Sequence, residues 1–315
     1  MFICAGIIKI MFNKICKSKY CLILLLIIVS VPINSCANSG NMLQKDDELK
    51  TVTSTVVVTP SPTPMPLAAI VDNESILLSD YEEELKRFDD AASEENIELA
   101  EQEKIDIVIE EMINKMILAQ SAKEDGYDLS EDVLSQKIQE LIESAGGDDV
   151  FNQWLLNNHY TRDSFERFYS IEIRASWKRD QIIKNIETSR EQVHARQILV
   201  LAENVAYDIY NQLEAGANFA TLANNYDPIL GGDLGWFPRG YLTQMDVENA
   251  AFELEPGQYS NVISTDLGYH IVQVIAKDPQ RELAPDAKQV IKHLELDEWL
   301  ETKYQESNIE IFVTE

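Results

Sequence analysis

Between Leu67 and Thr188 the apolar residues recur mostly at spacings of three and four, the period of an amphipathic helix. Tyr81, Leu85 and Phe88 share one face behind Ser79 as cap, and Ile105, Ile109, Met112, Ile113, Met116 and Ile117 form a second stripe. A third stripe, Val133, Leu134, Ile138, Leu141 and Ile142, opens at Ser130 with two acids in its first turn and closes at Gly146-Gly147. Thr161 caps a long helix bearing Phe165, Phe168, Tyr169, Ile173 and Trp177 that runs to about Ile186. Only the opening differs: Leu67 to Val71, the turn Asp72-Asn73-Glu74 and Ser75 to Leu77 predict strand, turn, strand.

After Thr188 the period changes. The run ARQILVL predicts a strand, Val205 to Leu213 and Asn218 to Tyr226 predict helices broken by Gly216, and a glycine-rich loop leads to a short helix around Val247 to Leu254. A Pro256-Gly257 turn and two strands, Tyr259 to Ser264 and Tyr269 to Ala276, complete a β-α-α-α-β-β module. A helix from about Asp286 to Glu306 and a strand-like IEIFV segment at 309–313 close the chain. The predicted class is α+β: a mostly helical region plus one small mixed module.

The N-terminal end changes the picture. The apolar run Cys21 to Val31 is shorter than the roughly 20 residues of a spanning helix, follows Lys14, Lys17 and Lys19, and meets Pro32, which is the layout of a signal peptide. Met11 begins a better-formed version of the same pattern than Met1 does. Ile33-Asn34-Ser35-Cys36 resembles the lipobox of bacterial lipoproteins, making residues 1–35 the signal and Cys36 the lipidation site, although Asn34 is an imperfect match. Acyl chains contribute about 0.8 kcal/mol per buried methylene, so several of them anchor without spanning. Residues 36–66, with four prolines among hydroxyl residues at their end, predict an extended tether.

Removing residues 1–35 and their four lysines takes the formal charge from −28 to −32, which argues against a nucleic-acid partner. It also removes Cys4, Cys16 and Cys21, excluding disulfides, cysteine zinc sites and a cysteine nucleophile; no metal or cofactor is expected.

Four blocks carry the chemistry: His194-Ala195-Arg196-Gln197-Ile198-Leu199-Val200, Asn218-Phe219-Ala220-Thr221-Leu222-Ala223, Gly231-Gly232-Asp233-Leu234-Gly235-Trp236-Phe237 and Gly268-Tyr269-His270-Ile271-Val272. In order and spacing they resemble the parvulin (PpiC-like) family of peptidyl-prolyl cis-trans isomerases. The flanking segments resemble the helical chaperone region of SurA-like and PrsA-like foldases. The implied organisation is a helical N-terminal chaperone region at 67–190, an isomerase domain at 191–279, and a C-terminal helix and strand at 280–315 that return to the N-terminal region. The implied reaction is rotation about an X-Pro amide, whose barrier of ~20 kcal/mol makes it slow without a catalyst.

Carried over from the family, Leu234, Leu242, Val247 and Phe252 line the proline pocket, and His270, Thr265, Asp227 and Gln197 form its polar side. Asp227 has a second reading, as initiator of the Asp-Pro turn with Pro228. Three departures stand out: Gln197 replaces a histidine common in parvulins, Val247 replaces a phenylalanine, and the loop Asp227 to Gly231 is shorter than usual. The segment after Val200 lacks the basic cluster of phosphate-directed parvulins. Two functions fit: a membrane-anchored, exported isomerase and chaperone acting on unfolded exported proteins with X-Pro bonds, or a non-catalytic holdase with a degenerate isomerase fold.

Overall fold

The computed structural model describes residues 65–313; the signal segment, Cys36 and the tether up to residue 64 lie outside the described residues. In chain order the first elements are β1 (Leu67–Val71), β2 (Glu74–Leu77), α1 (Leu78–Glu94), α2 (Glu101–Glu124), α3 (Glu131–Ala145), α4 (Asp148–Asn157) and α5 (Arg162–Lys184). Then come β3 (Ser189–Val200), α6 (Glu203–Glu214), α7 (Phe219–Tyr226), β4 (Asp233–Pro238), α8 (Met245–Glu253), β5 (Ile263–Thr265), β6 (Gly268–Glu282), α9 (Pro285–Glu306) and β7 (Ile309–Ile311). Contacts divide these residues into two compact units: 65–116, Asp128–Glu172 and 308–313 in one, Ile117–Tyr127 and Ile173–Ser307 in the other.

The first unit is built on a three-stranded antiparallel sheet of order β2-β1-β7. Asp72 takes φ 53° in the hairpin turn, donates its N–H to Asn308 O at 2.8 Å and accepts the Asn308 N–H on its carboxylate at 2.9 Å. That reciprocal pair fixes the register Ala69↔Ile311, Ile70↔Glu310, Val71↔Ile309. Helix α1 begins one residue before Ser79, so its cap position is Leu77 and Ser79 does not cap it. Ser130 accepts the Val133 N–H at 3.4 Å and Gly146, at φ 103°, ends α3 in the left-handed conformation that glycine tolerates. Thr161 and Ser164 cap α5 reciprocally, each hydroxyl accepting the other's backbone N–H at 3.0 Å.

An aromatic core holds α3, α4 and the start of α5 together. Phe165 meets Phe151 edge-on at 5.3 Å and Tyr160 at 5.5 Å, above buried Ile138, Ile142 and Leu155; edge-to-face pairs contribute about 0.5–1.5 kcal/mol each beyond their buried area. Beside it lies a buried ion pair. Arg87 donates from Nε and Nη2 to Glu84 Oε2 at 2.9 and 2.5 Å, from Nη1 to His159 O at 3.2 Å, and lies 3.8 Å over the Tyr160 ring. Both side chains are 6% exposed, so each charge depends on the other.

The second unit contains a four-stranded antiparallel sheet of order β4-β3-β6-β5. It holds one strand more than the sequence pattern predicts: β4 covers DLGWFP, where glycine and proline hide the alternation. The predicted strand Tyr259 to Ser264 shortens to β5, with Tyr259 making only an isolated bridge to Gln273, while β6 extends to Glu282. Alternation along β3 and β6 separates two cores. Val193, Ala195, Val272 and Val274 face α8 with Phe237, Val247 and Phe252, whereas Ile198 and Ile271 face α6 and α7 with Ile209, Leu213 and Phe219. A third cluster, Leu283, Ala287 and Ile291, gathers Ile186, Tyr241 and Leu294 around the start of α9. Lys178 pairs with Asp125 at 2.6 Å and lies 5.1 Å from the Trp299 ring.

The buried pair gives a stability prediction. Arg87→Ala leaves the Glu84 carboxylate buried without its guanidinium and is expected to destabilise the first unit by about 3–5 kcal/mol, whereas Arg87→Met with Glu84→Gln recovers most of the loss. Denaturant unfolding of the three proteins checks this; equal midpoints would show that the pair carries no stability.

Candidate active site

His270 stands on β6 on the same face as Val272 and Val274, and it is 2% exposed. Its Nδ1 lies 2.8 Å from Gln197 Oε1 and its Nε2 lies 2.8 Å from Thr265 Oγ1. A carboxamide oxygen can only accept, so Nδ1 carries the proton and Nε2 accepts from the threonine hydroxyl. Burial pushes the imidazole below its ordinary pKa of 6.5, only partly offset by the charge of Asp266. The ring is therefore neutral at pH 7 and both its nitrogens are engaged. Thr265 is placed by the tight β5–β6 hairpin, where its hydroxyl also accepts the Leu267 N–H at 3.2 Å.

Gln197 stands on β3, diagonal to His270 across the β3–β6 ladder, in register with Val272. Its backbone N–H donates to Gly232 O at 2.8 Å. Gly232 takes φ 71°, and a Cβ there would lie 1.9 Å from Gln197 O, so only glycine lets the 227–232 loop approach this strand. Asp227 is placed otherwise than its three polar companions. Its carboxylate accepts N–H groups from Leu230 at 3.1 Å, Gly232 at 3.0 Å and Ile229 at 3.2 Å, and these donors hold its pKa below the usual carboxylate value. The structure thus brings His270, Thr265 and Gln197 together, with Asp227 clamping the loop that leans on Gln197.

The apolar candidates also converge. Val247 and Phe252 are buried in one cluster, with Leu234 and Leu242 half-buried against it. Phe237 meets Phe252 edge-on at 6.1 Å, supporting the cluster from β4.

The segments that carry these residues have known counterparts in sequence. Residues 180–278 match the PPIC-type PPIASE domain, and residues 11–176, more than half the chain, match the SurA-like N-terminal domain. The foldase protein PrsA 2 of Bacillus anthracis is 30% identical over 197 residues, covering 59% of this chain and 67% of that one. The chain belongs to the PrsA foldase family. It is a peptidyl-prolyl cis-trans isomerase and folding chaperone. The PrsA foldase of Caldanaerobacter subterraneus subsp. tengcongensis is 26% identical over 284 residues, covering 82% of each chain. That of a Geobacillus strain is 38% identical over 116 residues, 34% of this chain and 42% of that protein.

Sequence reasoning missed several supports of this foldase site. Ser260, 7% exposed, accepts the Val272 N–H at 3.0 Å and donates to Asn261 O at 2.7 Å, pinning β6 beside His270. Glu248, 6% exposed, accepts the backbone N–H groups of Gly240 and Leu242. A serine in a strand-like run and an acid on a helix look solvent-facing in one dimension; only the fold shows them buried. His194, quoted as part of a motif, bonds Asp233 at 2.8 Å and stacks toward Trp236.

The lowered pKa of His270 gives a pH prediction with a definite sign. The folded state binds this proton less readily than the unfolded state, so the stabilisation by neutral His270 is complete above pH 6.5 and is lost as pH falls from there through the folded pKa. Following the imidazole ring signals by NMR should give a midpoint below 6.5; a midpoint at or above that value would contradict the buried, neutral assignment.

Proposed function

We propose that the protein is a lipid-tethered foldase that isomerises X-Pro bonds in exported chains while its helical region holds the unfolded client. The observation that carries this reading is the His270–Gln197–Thr265 network on the same sheet face as the Leu234, Leu242, Val247 and Phe252 cluster. No covalent bond changes in the reaction, so no nucleophile is required. Rotation removes amide resonance and localises the lone pair on the prolyl nitrogen, so catalysis needs a group that binds this twisted state more tightly than the planar one.

Gln197 fits that requirement. His270 fixes its carboxamide oxygen, which leaves the amide N–H groups pre-oriented as donors without an acceptor among the described residues. We assign Gln197 the role of donor to the prolyl nitrogen, His270 and Thr265 that of orienting it, and the apolar four that of a water-poor seat for the proline ring. Asp227 acts through the loop, holding Gly232 against Gln197. The signal pattern of residues 1–35 and Cys36 support export and anchoring at the outer face of a bacterial membrane.

Cis/trans exchange of a short proline peptide, followed by NMR with the purified chain, tests the catalytic reading. Acceleration is expected with wild type, with a loss of at least about ten-fold in His270→Ala and in Gln197→Ala, as for removal of one buried hydrogen-bonding partner. A folded wild type without acceleration favours the holdase. Mass spectrometry of the mature N-terminus tests the anchor: a diacylglyceryl-modified Cys36 is expected, and an unmodified start elsewhere would remove it.

A further inference from the structure

Residues 239–242 leave β4 toward α8, and the four are held by three groups, Phe252, Glu248 and Asp286. The Arg239 guanidinium lies 4.2 Å over the Phe252 ring. Gly240 donates its N–H to Glu248 Oε1 at 2.6 Å and Leu242 donates its N–H to Oε2 at 2.9 Å, so both oxygens of one buried carboxylate grip this segment. The Tyr241 hydroxyl donates to Asp286 Oδ2 at 2.5 Å. Asp286 lies in the first turn of α9, beyond residues 180–278 that match the isomerase family.

Tyr241 packs against two apolar clusters at once: that of Val247 and Phe252, and that of Leu283, Ala287 and Ile291. Gly240, at φ 79°, sits so close to α9 that a Cβ would come within 2.4 Å of Leu294 Cδ1. Burial, and then the bond to Asp286, push the Tyr241 phenol up to about 12, so the hydroxyl keeps its proton and remains the donor at neutral pH. The segment that presents Leu242 is thus fastened on one side to α8 and on the other to α9.

We propose that Tyr241 and Asp286 are positioning residues for the proline pocket, and that α9 is thereby a working part of the isomerase rather than an appendage to it. The inference rests on the assignment of Leu242 to the pocket wall. A wall free to move must be ordered each time a proline enters, and that cost falls on binding. The hydrogen bonds of Gln197, Thr265 and His270 join β3, β5 and β6, whereas that of Tyr241 ties the 239–242 segment to α9, so the effect falls on binding and leaves the turnover step untouched.

The test uses the whole chain with Tyr241→Phe, Asp286→Ala and Asp286→Asn, reading peptide affinity by NMR titration, KM and kcat for exchange, and the melting temperature. Tyr241→Phe and Asp286→Ala should each raise Kd and KM about five-fold, the loss of one hydrogen bond, with kcat close to wild type. Asp286→Asn, whose amide oxygen still accepts the phenol proton, should keep most of the affinity, and the double variant Tyr241→Phe with Asp286→Ala should be no worse than either alone. Folded Tyr241→Phe and Asp286→Ala proteins with wild-type Kd and KM, or with kcat lowered at constant KM, would overturn the inference. A wild type that neither binds nor accelerates the peptide would instead overturn the pocket assignment on which it rests.

Discussion

The antiparallel pairing of β3 with β6 is the constraint on which the isomerase unit depends. Side chains alternate across a strand, so this one ladder decides two surfaces together: His270, Val272 and Val274 go with Gln197 and Val193, and Ile271 goes with Ile198. A slip of one residue would put His270 among the helices and Ile271 in the site. The register is pinned from several directions, by the Gly232 carbonyl on Gln197, by Ser260 on Val272, and by Gln192 reaching the Arg281 carbonyl at 2.9 Å. The rung of Gln197 and Val272 and the far end of the ladder are therefore both committed before any substrate arrives.

A second theme is how polar groups are taken inside. Glu84 with Arg87, Glu248 with two backbone amides, and His270 with Gln197 and Thr265 each enter the interior with their partners present. A buried polar group costs free energy unless it is answered, so each such set favours one arrangement of the chain over near neighbours. In the isomerase unit burial keeps the imidazole neutral, and a neutral imidazole fixes one end of the Gln197 side chain.

Much of this was legible in one dimension. Periodicity located α1, α2, α3 and α5 but not the short α4; α3 and α5 turn their stripes to the aromatic core, and Ser130 and Thr161 marked their starts. The four blocks of the isomerase fold were legible as a set, as were the apolar residues Leu234, Leu242, Val247 and Phe252. What escaped depends on contacts distant in sequence. Strand β4 has no pattern of its own and exists because β3 offers it an edge. Asp227 carries the ambiguity of any acid before proline, and its partners are known only once the loop is folded back. Tyr241 and Asp286 stand 45 residues apart, and nothing in either segment announces the other.

The pairing of β7 with β1 has a consequence for the order in which the protein is made. Asn308 and Asp72 are bonded across a separation of 236 residues, and β1 is the central strand of its small sheet. A chain that emerges from its N-terminus therefore presents β1 with one edge unpaired until residues 309–311 have appeared. Closing so long a loop by itself is entropically unfavourable, and a compact isomerase unit formed in between shortens the effective span. A folding factor built this way cannot complete the sheet of its own N-terminal unit until residues 309–311, which follow its isomerase unit in the chain, have been made.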